Sequence, residues 1–328
     1  MYEMELALLA LKFVGGLFLI VKGADWLTDG ASSIARKFNI STLVIGLTIV
    51  AFGTSAPELV VSSMAALSGD TDIAIGNVVG SNVFNVLAIM GITAMVAPVA
   101  VKKNNIKYEV PLAILASVAV FVMANDVLLN GADANVITRG EGILLLCFFL
   151  VFLAYTFAIA RNGADSASEG QSAVKTMSVW KSVLLFLIGL GCLVFGGDTM
   201  VDGASGIASF LGVSQSVIAL TIVSAGTSFP ELVTSIVAAR KGDTDMAMGN
   251  VVGSNIFNIF LILGVASVIS PLGGGSITLV DYGVLLFSVV ALWAACTWGK
   301  VYHKVTRTEG AMLTLCMVAY YVYIVYNA

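Results

Sequence analysis

The sequence predicts an all-α membrane protein, ten transmembrane helices arranged as two inverted-topology repeats of five. Three observations carry that prediction. Of the 328 residues, 59% are hydrophobic and only 11% charged, against roughly 25% charged in a soluble domain. The segment Ala51 to Asn85, AFGTSAPELVVSSMAALSGDTDIAIGNVVGSNVFN, returns at Ser224 to Asn258 as SAGTSFPELVTSIVAARKGDTDMAMGNVVGSNIFN, identical at 24 of 35 positions at a constant offset of 173. The lysines and arginines, finally, collect in alternate connections, as cytoplasmic loops require.

A spanning helix needs about 20 mostly apolar residues. The first half supplies 6–27, 41–67, 76–97, 109–124 and 140–160, and the second 180–201, 213–239, 249–270, 281–299 and 309–326. Residues 1–160 thus make one repeat, 161–179 a polar, Ser-rich cytoplasmic linker, and 180–328 the second repeat. The opening residues, MYEMELALLALKF, lack the basic lead and small-residue cleavage site of a signal peptide. They read as a first helix that stays attached. The remaining connections are short, with no soluble domain inserted.

With the N-terminus outside, 13 of the 16 basic residues fall in cytoplasmic connections. Arg139 alone lies outside, and Lys12 and Lys22 sit within the first helix. The expected protein is therefore a multi-pass protein of the cell (inner) membrane with both termini extracytoplasmic. Five helices is an odd number, so the second repeat enters the membrane inverted. The loop LSGDTD after the second helix becomes RKGDTD after the seventh, gaining a basic pair on the cytoplasmic side. Inverted repeats are a transporter architecture, with the substrate site at the midplane between halves.

Several function classes drop out. No basic patch suits nucleic acid. Cys147, Cys192, Cys296 and Cys316 have no zinc or redox spacing and read as small buried hydrophobes. No His-Glu-x-x-His helix, Ser–His pair or catalytic aspartate pair lies within the membrane segments, so the chain reads as a transporter, not an enzyme, and without a cofactor.

Glu58 and Glu231 are the costliest residues in the repeats, since a charge at the bilayer centre costs several kcal/mol and is functional by default. Inversion brings the two carboxylates together at the pseudo-twofold axis. Unpaired, one would hold a proton, because adjacent like charges raise a pKa; with a divalent cation between them both ionise. No basic residue lies within two turns of either in sequence, which points to a cation as the partner. Thr54 and Glu58 are four apart and so predicted on one helical face, as are Thr227 and Glu231. Pro57 and Pro230 have no N–H to give the carbonyls of Gly53 and Gly226, and those glycines let a neighbouring backbone come close. Ser81 with Asn85, and Ser254 with Asn258, add oxygens on one face each, while Gly80 and Gly253 read as helix–helix packing. Such an all-oxygen set suits calcium or sodium, not metals that favour nitrogen or sulfur. Asp70, Asp72, Asp243 and Asp245 read as caps at helix ends near the membrane surface, or as weak attractors for cations at the mouth. Asp25, beside Lys22, and Asp198 read as capping or pairing residues near the ends of the first and sixth helices.

The two copies of Gly-Thr-Ser-x-Pro-Glu-Leu, each followed by Gly-Asn-x-x-Gly-Ser-Asn-x-Phe-Asn, closely resemble the α-repeats of the sodium/calcium exchanger family, within the calcium/cation antiporter superfamily. The resemblance covers essentially the whole chain and is to prokaryotic-type members without a regulatory domain. It implies that Glu58 and Glu231 bind calcium or, alternately, sodium. It further implies that Thr54 and Thr227, with the backbone carbonyls of Ala51 and Ser224, complete the calcium shell. Ser55, Ser228, Ser81 and Ser254 would contribute to flanking sodium sites, and Asn85 and Asn258 would line the central one. The family works by alternating access, its first and sixth helices sliding past the other eight. Potassium-dependent members carry aspartate where this chain has Asn258, which argues against potassium co-transport. The proton-coupled branch has Gly-Asn-x-x-Glu, whereas Gly76-Asn77-Val78-Val79-Gly80 lacks that glutamate.

The expectation is a secondary antiporter exchanging Na+ for Ca2+, monomeric, with the lipid bilayer as its surroundings. The alternatives are a Ca2+/H+ antiporter using the same glutamates and, from another class, a passive cation channel.

Overall fold

The computed structural model describes residues 2–162, 177–211, 224–273, 277–299 and 301–327. Eleven helices organise it: α1 Tyr2–Lys37, α2 Thr42–Thr54, α3 Ala56–Ser68, α4 Thr71–Val96, α5 Asn105–Met123, α6 Arg139–Asn162, α7 Val179–Phe210, α8 Phe229–Arg240, α9 Thr244–Ile269, α10 Leu279–Trp298 and α11 Arg307–Asn327. Among the described residues eight helices are long and apolar enough to cross a membrane, or nine when α2 and α3, bent by 48° at Ser55, count as one span. The remaining expected span, 213–239, falls partly on residues outside those described; its described part is the short helix Ser224–Gly226 followed by α8. The 161–179 linker lies mostly outside them as well.

α4 and α9 form the centre. In each, 78% of the most apolar window is buried, against 17% in α1 and 22% in α6 and α11. Their small side chains (Gly, Ala, Ser, Val) and amides suit a position surrounded by protein, while the outer helices show leucine, phenylalanine and valine to their surroundings. The two central helices run antiparallel. Thr71 at the start of α4 donates to the carbonyl of Gly273 beyond the end of α9, at 2.7 Å, and Lys102 beyond the end of α4 pairs with Asp245 at the start of α9, at 2.6 Å. Two short antiparallel ladders mark the ends of the bundle. β1 (Val99–Ala100) pairs with β4 (Lys304–Val305), and β2 (Val136–Ile137) with β3 (Leu272–Gly273).

α1 and α7 also run antiparallel, joined by glycines spaced seven residues apart: Gly16, Gly23 and Gly30 on one, Gly189, Gly196 and Gly203 on the other. A Cβ on Gly16 would sit 2.5 Å from the Met200 nitrogen, on Gly23 2.7 Å from the Gly189 oxygen, and on Gly203 2.5 Å from the Phe13 nitrogen. Backbone therefore touches backbone along this seam. The pair has its own apolar cluster, with Ile20, Leu27, Phe186 and Leu193, beside the larger one around α4 and α9.

Both helices of this pair run about ten residues past the expected ends at 27 and 201. Asp25 and Asp198 accordingly sit inside helices, not near their ends. The partner of Asp25 is also different from the one expected: Lys241 reaches it at 3.3 Å, together with Asp29 at 2.9 Å and the Thr28 hydroxyl at 2.9 Å. A counter-charge supplied from the turn after α8 lets a polar turn continue the helix. Gly69 and Gly242 end α3 and the turn after α8 at φ +83°, a left-handed conformation that glycine takes without a Cβ penalty. Asp243 does cap α9, accepting from Met246 N at 3.1 Å, and also receives Thr42 and Ser32 hydroxyls at 2.7 and 3.0 Å. Asp70 holds the matching position without a side-chain cap bond. Of the four cysteines only Cys296 is buried; Cys147 is exposed.

Candidate functional site

The site begins with the break at Ser55. Pro57 occupies the first turn of α3, where a missing N–H is tolerated, and Ser55 adopts φ −85°, ψ 7° between the two helices. Ser228, before Pro230, takes φ −92°, ψ 5°. Each break aims one serine hydroxyl across the bundle. Ser55 Oγ donates to Glu231 Oε1 at 2.9 Å, and Ser228 Oγ donates to Glu58 Oε1 at 3.0 Å. Each half's serine hydroxyl thus serves the other half's carboxylate.

Both glutamates are 1% exposed, and among the described residues neither pairs with a lysine or arginine. Their backbones are braced by asparagines. Asn77 Nδ2 donates to the Glu58 carbonyl at 3.3 Å and to Ser62 Oγ at 2.9 Å; Asn250 Nδ2 donates to the Glu231 carbonyl at 3.3 Å and to Ser235 Oγ at 3.0 Å. Thr54 Oγ1 donates to Asn250 Oδ1 at 3.2 Å, or back to the carbonyls of Val50 and Ala51 at 3.1 and 3.4 Å. Ala51 is fully buried, its carbonyl accepting from Ser55 N at 2.9 Å. Ser224 starts the short helix before the second break.

α4 and α9 meet across the axis through amides. Asn82 Nδ2 donates to the Asn255 carbonyl at 3.2 Å, Asn255 Nδ2 to the Asn82 carbonyl at 3.4 Å, and Asn258 Nδ2 to Asn82 Oδ1 at 3.0 Å. Ser81 lies beside the Ser228 hydroxyl at 3.4 Å. Both helices switch to π-helical turns at this level, Asn85–Met90 and Phe257–Leu263, a distortion that clusters at functional sites. Asn77, Asn82, Asn250 and Asn255 had not been singled out. They stand in the repeated motif, but which way each amide faces follows from how α4 and α9 cross.

One property unites these side chains. Glu58 Oε2, Glu231 Oε2, Asn85 Oδ1, Asn255 Oδ1, Asn258 Oδ1 and Ser254 Oγ are all buried without a hydrogen-bond partner. Most buried polar atoms in proteins are satisfied, so a concentration of orphaned oxygens marks a place for electron-pair acceptors. Five of the six are acceptor-only atoms, and two belong to carboxylates. The donor set fits a hard cation. Gly253 is packed as expected, a Cβ there meeting the Leu47 backbone at 2.9 Å, whereas Gly80, expected to pack likewise, faces open space, a Cβ there meeting nothing within 4 Å. Gly53 and Gly226 instead face side chains of α7, Leu190 and Val201, where a neighbouring backbone was expected.

The family model described as sodium/calcium exchanger protein matches residues 8–158 and 181–327. The chain is 38% identical to the putative antiporter CaxA of Alkalimonas amylolytica, over 93% of its own length and 95% of that protein's. It is 36% identical to the inner membrane protein YrbG of Escherichia coli (strain K12), covering 91% of each. With the sodium/calcium exchanger MaX1 of Methanosarcina acetivorans it shares 32% identity over 95% of this chain and 97% of that one. The fold is similar to that of the sodium-calcium exchanger NCX_Mj soaked with Na+ and Sr2+, with a TM-score of 0.81 at 31% identity over 96% of this chain and 98% of the other.

Proposed function

The chain belongs to the sodium/calcium exchanger family, and from that premise we propose that it exchanges Na+ for Ca2+ across the membrane by alternating access, binding the ions between Glu58 and Glu231. The observation that carries this reading is the cluster of orphaned oxygens around two buried carboxylates. Two ionised carboxylates balance one Ca2+, or a pair of Na+ ions. Thr54, Thr227 and the carbonyls of Ala51 and Ser224 complete the calcium shell. Ser55, Ser228, Ser81 and Ser254 serve flanking sodium positions, with Asn85 and Asn258 at the centre.

We read the bundle as ten helices in two inverted repeats, 1–160 and 180–328, with both termini extracytoplasmic and the monomer as the functional unit. The antiparallel course of α1 against α7 and of α4 against α9 supports inversion, since each helix lies against its own counterpart in the other repeat. The offset of 173 carries β1 at Val99–Ala100 onto β3 at Leu272–Gly273, at opposite ends of the bundle. Inversion requires that exchange of ends.

Purified protein in proteoliposomes tests the reading, with sodium, potassium and proton gradients imposed separately. Calcium uptake driven by the sodium gradient is expected. Uptake that follows the pH gradient and ignores sodium selects a Ca2+/H+ antiporter, and calcium flux with no counter-ion selects a channel.

A further inference from the structure

A third buried carboxylate lies outside the Glu58–Glu231 site. Glu109 is 1% exposed and closes the π-helical turn Asn105–Glu109 at the start of α5. Its Oε1 accepts a hydrogen bond from the Tyr155 hydroxyl of α6 at 3.0 Å, while its Oε2 is buried with no donor. Four residues earlier, Asn105 is fully buried, and neither its Oδ1 nor its Nδ2 has a partner. Residues four apart lie on one helical face, and the burial of both turns that face into the bundle.

Among the described residues no lysine or arginine forms an ion pair with Glu109. Lys102 pairs with Asp245 at 2.6 Å, and Lys107 lies over the Tyr108 ring, 5.1 Å from its centroid. Nor is Glu109 half of a duplicated pair. The offset of 173 leads from Asn105 and Glu109 to Thr278 and Tyr282, where Thr278 is occupied in a capping box with Asp281. Nothing in the exchange site calls on Glu109.

A buried ionised carboxylate needs a counter-charge. A proton on Oε2 neutralises the carboxyl but serves a single acceptor, Asn105 Oδ1, and makes no use of the Tyr155 oxygen. A metal cation accepts lone pairs from Glu109 Oε2 and Asn105 Oδ1 together, with the Tyr155 oxygen beside them. One carboxylate balances one positive charge. We propose that Glu109, Asn105 and Tyr155 form a second, single-copy site for a monovalent cation, at the end of the bundle that carries the β1–β4 ladder. The site is separate from the Glu58–Glu231 centre.

The test uses full-length purified protein in which Glu58→Gln and Glu231→Gln disable the central site, with size-exclusion profile as the check on folding. Equilibrium binding of radioactive Na+ should retain about one saturable ion per chain. Adding Glu109→Gln should remove that ion, and adding Asn105→Ala in its place should weaken it at least tenfold, whereas Glu109→Gln alone should keep sodium-driven calcium exchange. The proposal is overturned if the central-site variant binds no sodium. It is equally overturned if binding survives Glu109→Gln, or if Glu109 takes up only a proton.

Discussion

At the scale of single residues, the distinctive property of the site is exchange between the halves. Ser55 serves Glu231 and Ser228 serves Glu58, so coupling should follow those pairs and not the nearer ones in sequence. A double-mutant cycle on calcium affinity should give Ser55→Ala a coupling of about 1–3 kcal/mol with Glu231→Asp, and much less with Glu58→Asp. Equal coupling to both glutamates would remove the crosswise geometry. Either Glu58→Gln or Glu231→Gln should abolish sodium-driven calcium flux in proteoliposomes, because one remaining carboxylate cannot balance a divalent ion; wild-type rates in either would refute the role. The sequence pointed to both glutamates from cost alone, and the surrounding hydroxyls from the repeated motif. It did not reveal the crosswise donation, because which carboxylate each serine reaches depends on how the breaks before Pro57 and Pro230 aim Ser55 and Ser228 across the bundle.

At the scale of elements, hydropathy located most of the spans but neither their lengths nor which pair lies at the centre. A helix of 36 residues is roughly 54 Å long at about 1.5 Å per residue, well beyond a hydrocarbon core of about 30 Å. Asp25 looked like an end because its partner, Lys241, comes from the opposite repeat. The glycine seam between α1 and α7 was visible as a seven-residue spacing repeated at the offset of 173, yet spacing alone does not tell which helix will lie against it. Its contacts predict a sharp contrast. Gly23→Val or Gly196→Val should lower stability by about 1–3 kcal/mol or more, the range for overpacking, read as a fall in thermal melting temperature. Gly15→Ala, which meets nothing within 4 Å, should be neutral. A melting temperature unchanged by Gly23→Val would mean the two backbones are not in contact.

At the scale of the whole molecule, orientation is the property that charge counting predicts and that impermeant labelling can read. With the native cysteines replaced, Asp133→Cys in intact cells should react with a membrane-impermeant maleimide and Lys103→Cys should not; the reverse pattern would invert the topology. Most of the architecture was legible because duplication writes each element twice, and a position marked by chance in one copy is not marked in the other. The Glu109 turn escaped notice for the same reason, since its counterpart is Tyr282. The crosswise donation also bears on how the protein is made. Glu58 is synthesised 170 residues before Ser228, the donor that satisfies it. At about 5–20 residues per second, it waits roughly 10–30 s on the ribosome for the other half of its site. An N-terminal repeat inserted alone thus holds a carboxylate that no hydroxyl of its own reaches. The serine–glutamate pairs form only when the second half of the chain folds back against the first.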